Sequence, residues 1–283
     1  MIEIESSPFL VEFGSLILSW HGVFSFIAVA AAVFLVGRWA TLRNVDPDDI
    51  YSIAMWAIIG GIVGARLVHI IDNLDIYMDN PGKILAIWTG GIGLWGGILG
   101  GFVGGAGYAA LAKYPVGVVA DLTAPAMLFV QSIGRLGDIV NGEHCAKATN
   151  QFFGFIWTHS ESAARYCANG LGVGVQPVIA FEILWNLSCL WIIWTLRNRL
   201  KPSGMLFALY LFFYAAGRFI VTFFREDRIW AFGLQEAHFI AIMVLVITVP
   251  LLAFKARLGD PEEVKREFID SVPRRSRAER RRE

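Results

Sequence analysis

The chain has 283 residues, of which 56% are hydrophobic and 17% charged, against about 25% charged in a typical soluble domain. Formal net charge is zero, yet ten of the 24 Lys and Arg residues lie between Lys255 and Arg282. The body of the chain therefore combines few charges with long apolar runs, which excludes an ordinary soluble fold; nucleic acid is not expected as a partner.

The opening MIEIESSPFL carries two glutamates and no basic residue. A cleaved signal peptide begins with positive charge, so the first hydrophobic segment is expected to remain as a membrane helix. A spanning helix needs about 20 mostly apolar residues. Runs of that kind fall at 17–38, 50–71, 88–112, 117–140, 176–196, 203–224 and 234–255. The predicted fold is all-α, a polytopic membrane helix bundle of about seven spans. It is expected to form one transmembrane domain over residues 1–255, with a basic cytoplasmic tail over 256–283. An apolar lead-in from Phe9 to Leu18 is expected to lie along the interface.

The third span, GGIGLWGGILGGFVGGAGYAA, is dense in glycine. Small residues let helix backbones approach closely in a membrane, and most of these glycines are assigned to packing. No GK[ST] closes the run, which excludes a phosphate-cradling P-loop. The segment 141–175 is polar, contains Trp157 and Tyr166, and is expected to form a small extracytoplasmic cap. Loops of that length in compact folds are often functional. Cys145, Cys167 and Cys189 show no metal-ligand spacing. The first two could pair on the outer side, but all three are taken as incidental, and no metal site or cofactor is expected.

Orientation follows from the basic residues in the loops. With the amino terminus outside, inner segments hold sixteen Lys and Arg, ten of them in the tail, and outer loops hold five. The run RRSRAERRRE then meets the anionic cytoplasmic leaflet.

Charges within spans are costly and by default indicate function. Arg66 in GARLVH, Arg135 in SIGRLGD and Arg218 in AAGRFIV all sit toward the outer ends of their spans. Three guanidinium groups at one depth would bind a phosphate head group, because the planar fork stays charged and grips phosphate oxygens in pairs. The alternative is that each arginine meets a carboxylate, with Asp138, Glu143 and Glu182 available, or reaches to the interface. Arg135, Asp138, Asn141, Glu143 and His144 form the densest polar cluster, where the fourth span leaves the membrane. Glu143, His144 and His21 are candidate general bases; His69, His159 and His238 are weaker ones. Asn141 could instead cap the span. Glu182, inside the fifth span, requires a partner, and an arginine is the natural one.

At these residues the sequence resembles a known family. GRLGDIVNGEHCA, from Gly134, is similar to the signature GRxGNFxNxExxG of bacterial prolipoprotein diacylglyceryl transferases. SWHGV resembles the family's WYGL, GARLVH its G-[GA]-R-L, and GGIGLWGGILGG its glycine-rich third span. QPVIAFE resembles HPTQLYE, and AAGRFIVTFFRED resembles GxxRFxxExxR. These segments run in order over residues 20–255.

The resemblance implies a seven-span enzyme of the bacterial cytoplasmic membrane. It would move the diacylglyceryl group of phosphatidylglycerol to the lipobox cysteine of a prolipoprotein signal peptide, forming a thioether. Arg135, Arg218, Glu143 and His21 are then the expected catalytic set, and Arg135, Asn141, Asp138, Arg66 and Glu182 the expected substrate-binding set. Six positions depart from the family pattern: His21, Trp95, Asp138, Ala146, Gln176 and Thr222. Two other readings are a lipid or anion transporter, which should carry an internal repeat not visible in the sequence, and a non-catalytic homologue that only binds lipid.

Overall fold

The computed structural model describes residues 1–13, 16–43, 45–86, 91 and 93–271. Its helices are α1 (Trp20–Thr41), α2 (Pro47–Asp72), α3 (Leu74–Asp79), α4 (Leu94–Leu111), α5 (Val116–Asn141), α6 (Val178–Leu196), α7 (Met205–Thr222), α8 (Glu236–Lys255) and α9 (Pro261–Ser271). Six of them, α1, α2, α5, α6, α7 and α8, are long and apolar enough to cross a membrane. The chain is thus a multi-pass helical membrane bundle, with six such helices among the described residues where seven are expected from sequence. The difference lies in the third span. Gly91 holds φ +78, a left-handed conformation that glycine tolerates and a helix does not. The third expected span, 88–112, falls on α4, whose helix is described from Leu94 to Leu111; residues 87–90 and 92 lie outside the described residues.

Short strands β1 (Ile2–Ile4), β2 (Phe9–Phe13), β3 (Leu16–Ser19), β4 (Phe155–Trp157), β5 (Leu200–Lys201), β6 (Ile229–Ala231), β7 (Leu234–Gln235) and β8 (Arg257–Leu258) pair as β1–β4, β2–β3, β5–β8 and β6–β7. The lead-in from Phe9 is therefore an antiparallel hairpin, with Leu10, Val11, Phe13, Ile17 and Leu18 exposed. The tail includes α9, and RRSRAERRRE lies outside the described residues.

Two compact units are present: Met1–Phe34 with Ala120–Val264, and Leu35–Val119 with the residues from Lys265 on. In the second unit α2 and α4 meet backbone to backbone. A Cβ on Gly64 would lie 2.2 Å from the Gly96 carbonyl oxygen, and one on Gly100 would lie 2.2 Å from that of Gly60. Asp46 opens α2 by accepting from Asp48 N at 3.1 Å, with Pro47 at the first helical position. Buried Asp49 accepts the Tyr114 hydroxyl.

In the first unit, Ala124, Leu128, Cys189, Ile193, Leu206 and Tyr210 form a core among α5, α6 and α7. Asp121 on α5 takes two unpaired N–H groups at the start of α7, from Gly204 at 2.7 Å and Phe207 at 2.9 Å. A second core, around Phe155, Trp157, Val175 and Val178, lies in the polar segment that follows α5. Trp157 roots it by donating to the Ile139 carbonyl at 2.7 Å. Cys145 and Cys167 are joined by a disulfide, so these two are structural and only Cys189, buried, is free. The pairing follows from the turn after α5, which folds the chain back so that residue 145 meets the segment around Ala163–Tyr166.

Candidate active site

The polar cluster is assembled by the close approach of α1 to α5. Gly137 makes the approach possible: a Cβ there would stand 2.7 Å from His21 Cα. His21, in the first turn of α1, consequently reaches Asp138, and its Nδ1 lies 2.7 Å from Oδ1. These are two of the departures from the family pattern, and they are bonded to each other. Beyond Asn141 the chain turns sharply, with Gly142 at φ +73 and His144 at φ +71. The turn sends Glu143 and His144 back over the end of α5.

Asp138 is 3% exposed and sits at the centre. Its Oδ2 receives Arg135 Nη1 at 2.6 Å and lies 3.1 Å from His144 Nε2. Asn141 Oδ1 accepts from the His21 backbone N–H at 3.4 Å, while its amide donates to Glu143 Oε1 at 3.1 Å. Asn141 thus ties α1 to the turn, in place of the helix-capping role that sequence left open. Glu143 Oε1 is 3.6 Å from His21 Nδ1.

Arg135 also reaches Glu182 on α6, with Nε 2.6 Å from Oε2. Arg218 on α7 donates Nη1 to the other oxygen of the same carboxylate at 3.0 Å. Two spans therefore deliver guanidinium groups to one acid, as the cost of burying Glu182 alone requires. Arg135 Nη2 and Arg218 Nε and Nη2 form no hydrogen bond among the described residues. Those donors are free to grip an anion.

Arg66 is not among these contacts. It belongs to the second unit and donates to the carbonyls of Ile84 at 2.9 Å and Gly91 at 2.8 Å, and to that of Lys83. Trp95 lies on α4, in the same unit. Thr222 is buried and its hydroxyl returns to the Arg218 carbonyl, so it brings no charge to the cluster. Ala146 pairs by backbone with Arg225, and the Gln176 N–H donates to Lys147 O at 2.9 Å. His238 caps α8 opposite Gln235, a structural use.

By sequence Arg225 is one of the five outer-loop basic residues, with Lys83, Lys147, Arg165 and Arg228. Its guanidinium is buried, pairs with Asp227 through Nε at 2.6 Å and Nη2 at 3.2 Å, and places Nη2 3.3 Å from His144 Nδ1. The closing arginine of the GxxRFxxExxR stretch was the available signal. His21, Asp138 and Glu143 each offer a ligand atom, all within 4.8 Å of one another. A divalent cation there would compete with the His21–Asp138 hydrogen bond and face the Arg135 cation on the same carboxylate.

The chain matches the family model "Prolipoprotein diacylglyceryl transferase" over residues 8–254. It is 33% identical over 260 residues to the phosphatidylglycerol–prolipoprotein diacylglyceryl transferase of Dehalococcoides mccartyi, covering 91% of this chain and 96% of that one. Enzymes of the same name from Symbiobacterium thermophilum and Listeria welshimeri are 30% and 29% identical. They cover 88% and 90% of this chain, and 93% and 91% of their own lengths. On a match that takes in α1 through α8 and every residue of the cluster just described, this chain belongs to the prolipoprotein diacylglyceryl transferase family.

Proposed function

We propose that this chain transfers the diacylglyceryl group of phosphatidylglycerol to the lipobox cysteine of a prolipoprotein, at the outer face of the bacterial cytoplasmic membrane. The thiol loses its proton to a base, because the thiolate is the nucleophile. A C–S bond forms to the glyceryl carbon, the C–O bond to phosphate breaks, and the electron pair leaves on glycerol phosphate.

The observation that carries this reading is the shared Glu182. Arg135 and Arg218, from separate spans, are held side by side by one carboxylate and keep N–H donors unused. Phosphate oxygens of the lipid would take those donors, and the same contacts stabilise charge on the departing group. Fixed cations of this kind, in place before reaction, are usually the largest electrostatic contribution to such a step. Arg66 is given no part in this step, since its guanidinium donates to backbone carbonyls within the second unit.

Arg135→Ala, assayed in phosphatidylglycerol membranes with a lipobox peptide, should lower thioether formation about 100-fold or more. Wild-type turnover in that variant would remove Arg135 from the mechanism. Complementation of a bacterial strain lacking the transferase, with mass spectrometry of a model lipoprotein, tests the activity itself. A chain that binds phosphatidylglycerol but yields no thioether would be a lipid-binding homologue.

A further inference from the structure

Two imidazoles flank Asp138, and the groups around His21 fix its tautomer. Carboxylates only accept hydrogen bonds and guanidinium groups only donate them. His21 Nδ1 faces Asp138 Oδ1 at 2.7 Å and Glu143 Oε1 at 3.6 Å. The proton is therefore on Nδ1, and the lone pair of the neutral ring is on Nε2. His144 is held at both nitrogens: its Nδ1 faces Arg225 Nη2 at 3.3 Å, and its Nε2 faces both Arg135 Nη1 at 2.5 Å and Asp138 Oδ2 at 3.1 Å.

His144 therefore has neither nitrogen to spare, while His21 keeps one. Exposure separates them too: the His21 side chain is 43% exposed, that of His144 24%. The His144 backbone lies at φ +71, uncommon for a residue bearing a side chain. Arg225 is 5% exposed, and its Nη1 has no hydrogen-bond partner among the described residues. The arrangement of Arg225, His144 and Asp138 is a buried support on which one reachable imidazole rests.

Building on the transfer reading above, we infer that His21 Nε2 is the general base for the cysteine thiol, with Asp138, His144 and Arg225 as positioning residues behind it. The S–H bond breaks as its proton passes to Nε2. The thiolate sulfur bonds to the glyceryl carbon, the phosphate ester C–O bond breaks, and the imidazolium later returns its proton to solvent. Asp138 holds the ring through Nδ1 and faces the imidazolium with a negative charge. His144, pinned by Arg225, keeps that carboxylate from turning.

The test uses the full-length protein in phosphatidylglycerol vesicles with a synthetic lipobox peptide, read as thioether product by mass spectrometry. His21→Ala should lose about 100-fold or more in turnover, and added imidazole should restore part of it, whereas Arg135→Ala should not respond to imidazole. His21→Gln, similar in size and able to donate to Asp138 but unable to take a proton, should be as slow as His21→Ala. Arg225→Ala should slow the wild-type protein about tenfold and cost nothing further in the His21→Ala background, because residues that act as a unit are not additive. Equal losses in both backgrounds would overturn the positioning role of Arg225. Near-wild-type turnover in both His21 variants would overturn the base assignment while leaving the transfer reading intact. A wild-type protein that forms no thioether would overturn both.

Discussion

Glu182 carries two cations at once, and a carboxylate in that position cannot be removed quietly. Arg135 and Arg218 keep 22% and 23% of their side chains accessible, so water can relieve part of the loss. Breaking a buried ion pair by deleting one partner costs about 3–5 kcal/mol, and the lower end applies here. Glu182→Ala is expected to lose about 3 kcal/mol of stability in a thermal or denaturant melt in detergent, together with most of its turnover. A wild-type melting point would mean that neither arginine depends on it. The pairing itself was legible in the sequence, because an isolated carboxylate within a span needs a cation. That it would serve two was not, since helix registry decides which side chains meet. Arg66 was indistinguishable in sequence from Arg135: both are arginines following a small residue or a glycine near the outer end of a span. Only the fold shows that one meets carboxylates and the other backbone carbonyls. Arg225 was missed for the opposite reason. A basic residue just beyond a helix reads as solvated, but this one is folded under the turn that follows α5.

Among the elements, the contact of α2 with α4 depends most directly on its sequence. Gly60 and Gly64 on one helix and Gly96, Gly100 and Gly104 on the other repeat at intervals of four, which places each set on a single helix face. Their backbones are close enough that a Cβ on Gly104 would lie 2.3 Å from the Trp56 carbonyl oxygen. Gly100→Ala should force the helices apart at a cost of about 1–3 kcal/mol. Gly107 is the control, because a Cβ there meets nothing within 4 Å among the described residues. Gly107→Ala should be neutral, or stabilising by up to about 1 kcal/mol through helix propensity. Equal effects of the two substitutions in a melt would show that the glycines are not packing positions. The glycine spacing was readable, but which glycines face the partner helix was not, because registry between two helices is set by the fold.

For the whole molecule the open quantity is sidedness. Sixteen basic residues against five favour an outside amino terminus, but most of that excess is in the tail. Pairings within the first unit supply independent support. β1 pairs with β4, so the amino terminus lies on the same side as the disulfide-bearing segment between α5 and α6. The link from α7 to α8 joins them there, with Glu226 N donating to Cys145 O at 3.0 Å. β5 pairs with β8, grouping the link from α6 to α7 with the segment after α8. Disulfides persist in oxidising compartments and rarely in the cytosol; on that ground we propose that the first group faces outward and the second the cytoplasm. Ser160 and Asn198 are exposed, one in each group, and the free Cys189 is buried and should contribute little background. A membrane-impermeant maleimide applied to intact spheroplasts should therefore label Ser160→Cys at once. Asn198→Cys should react only after permeabilisation. The reverse pattern would put the disulfide in a reducing compartment and the cluster around Asp138 on the cytoplasmic side, away from any prolipoprotein cysteine presented at the outer face.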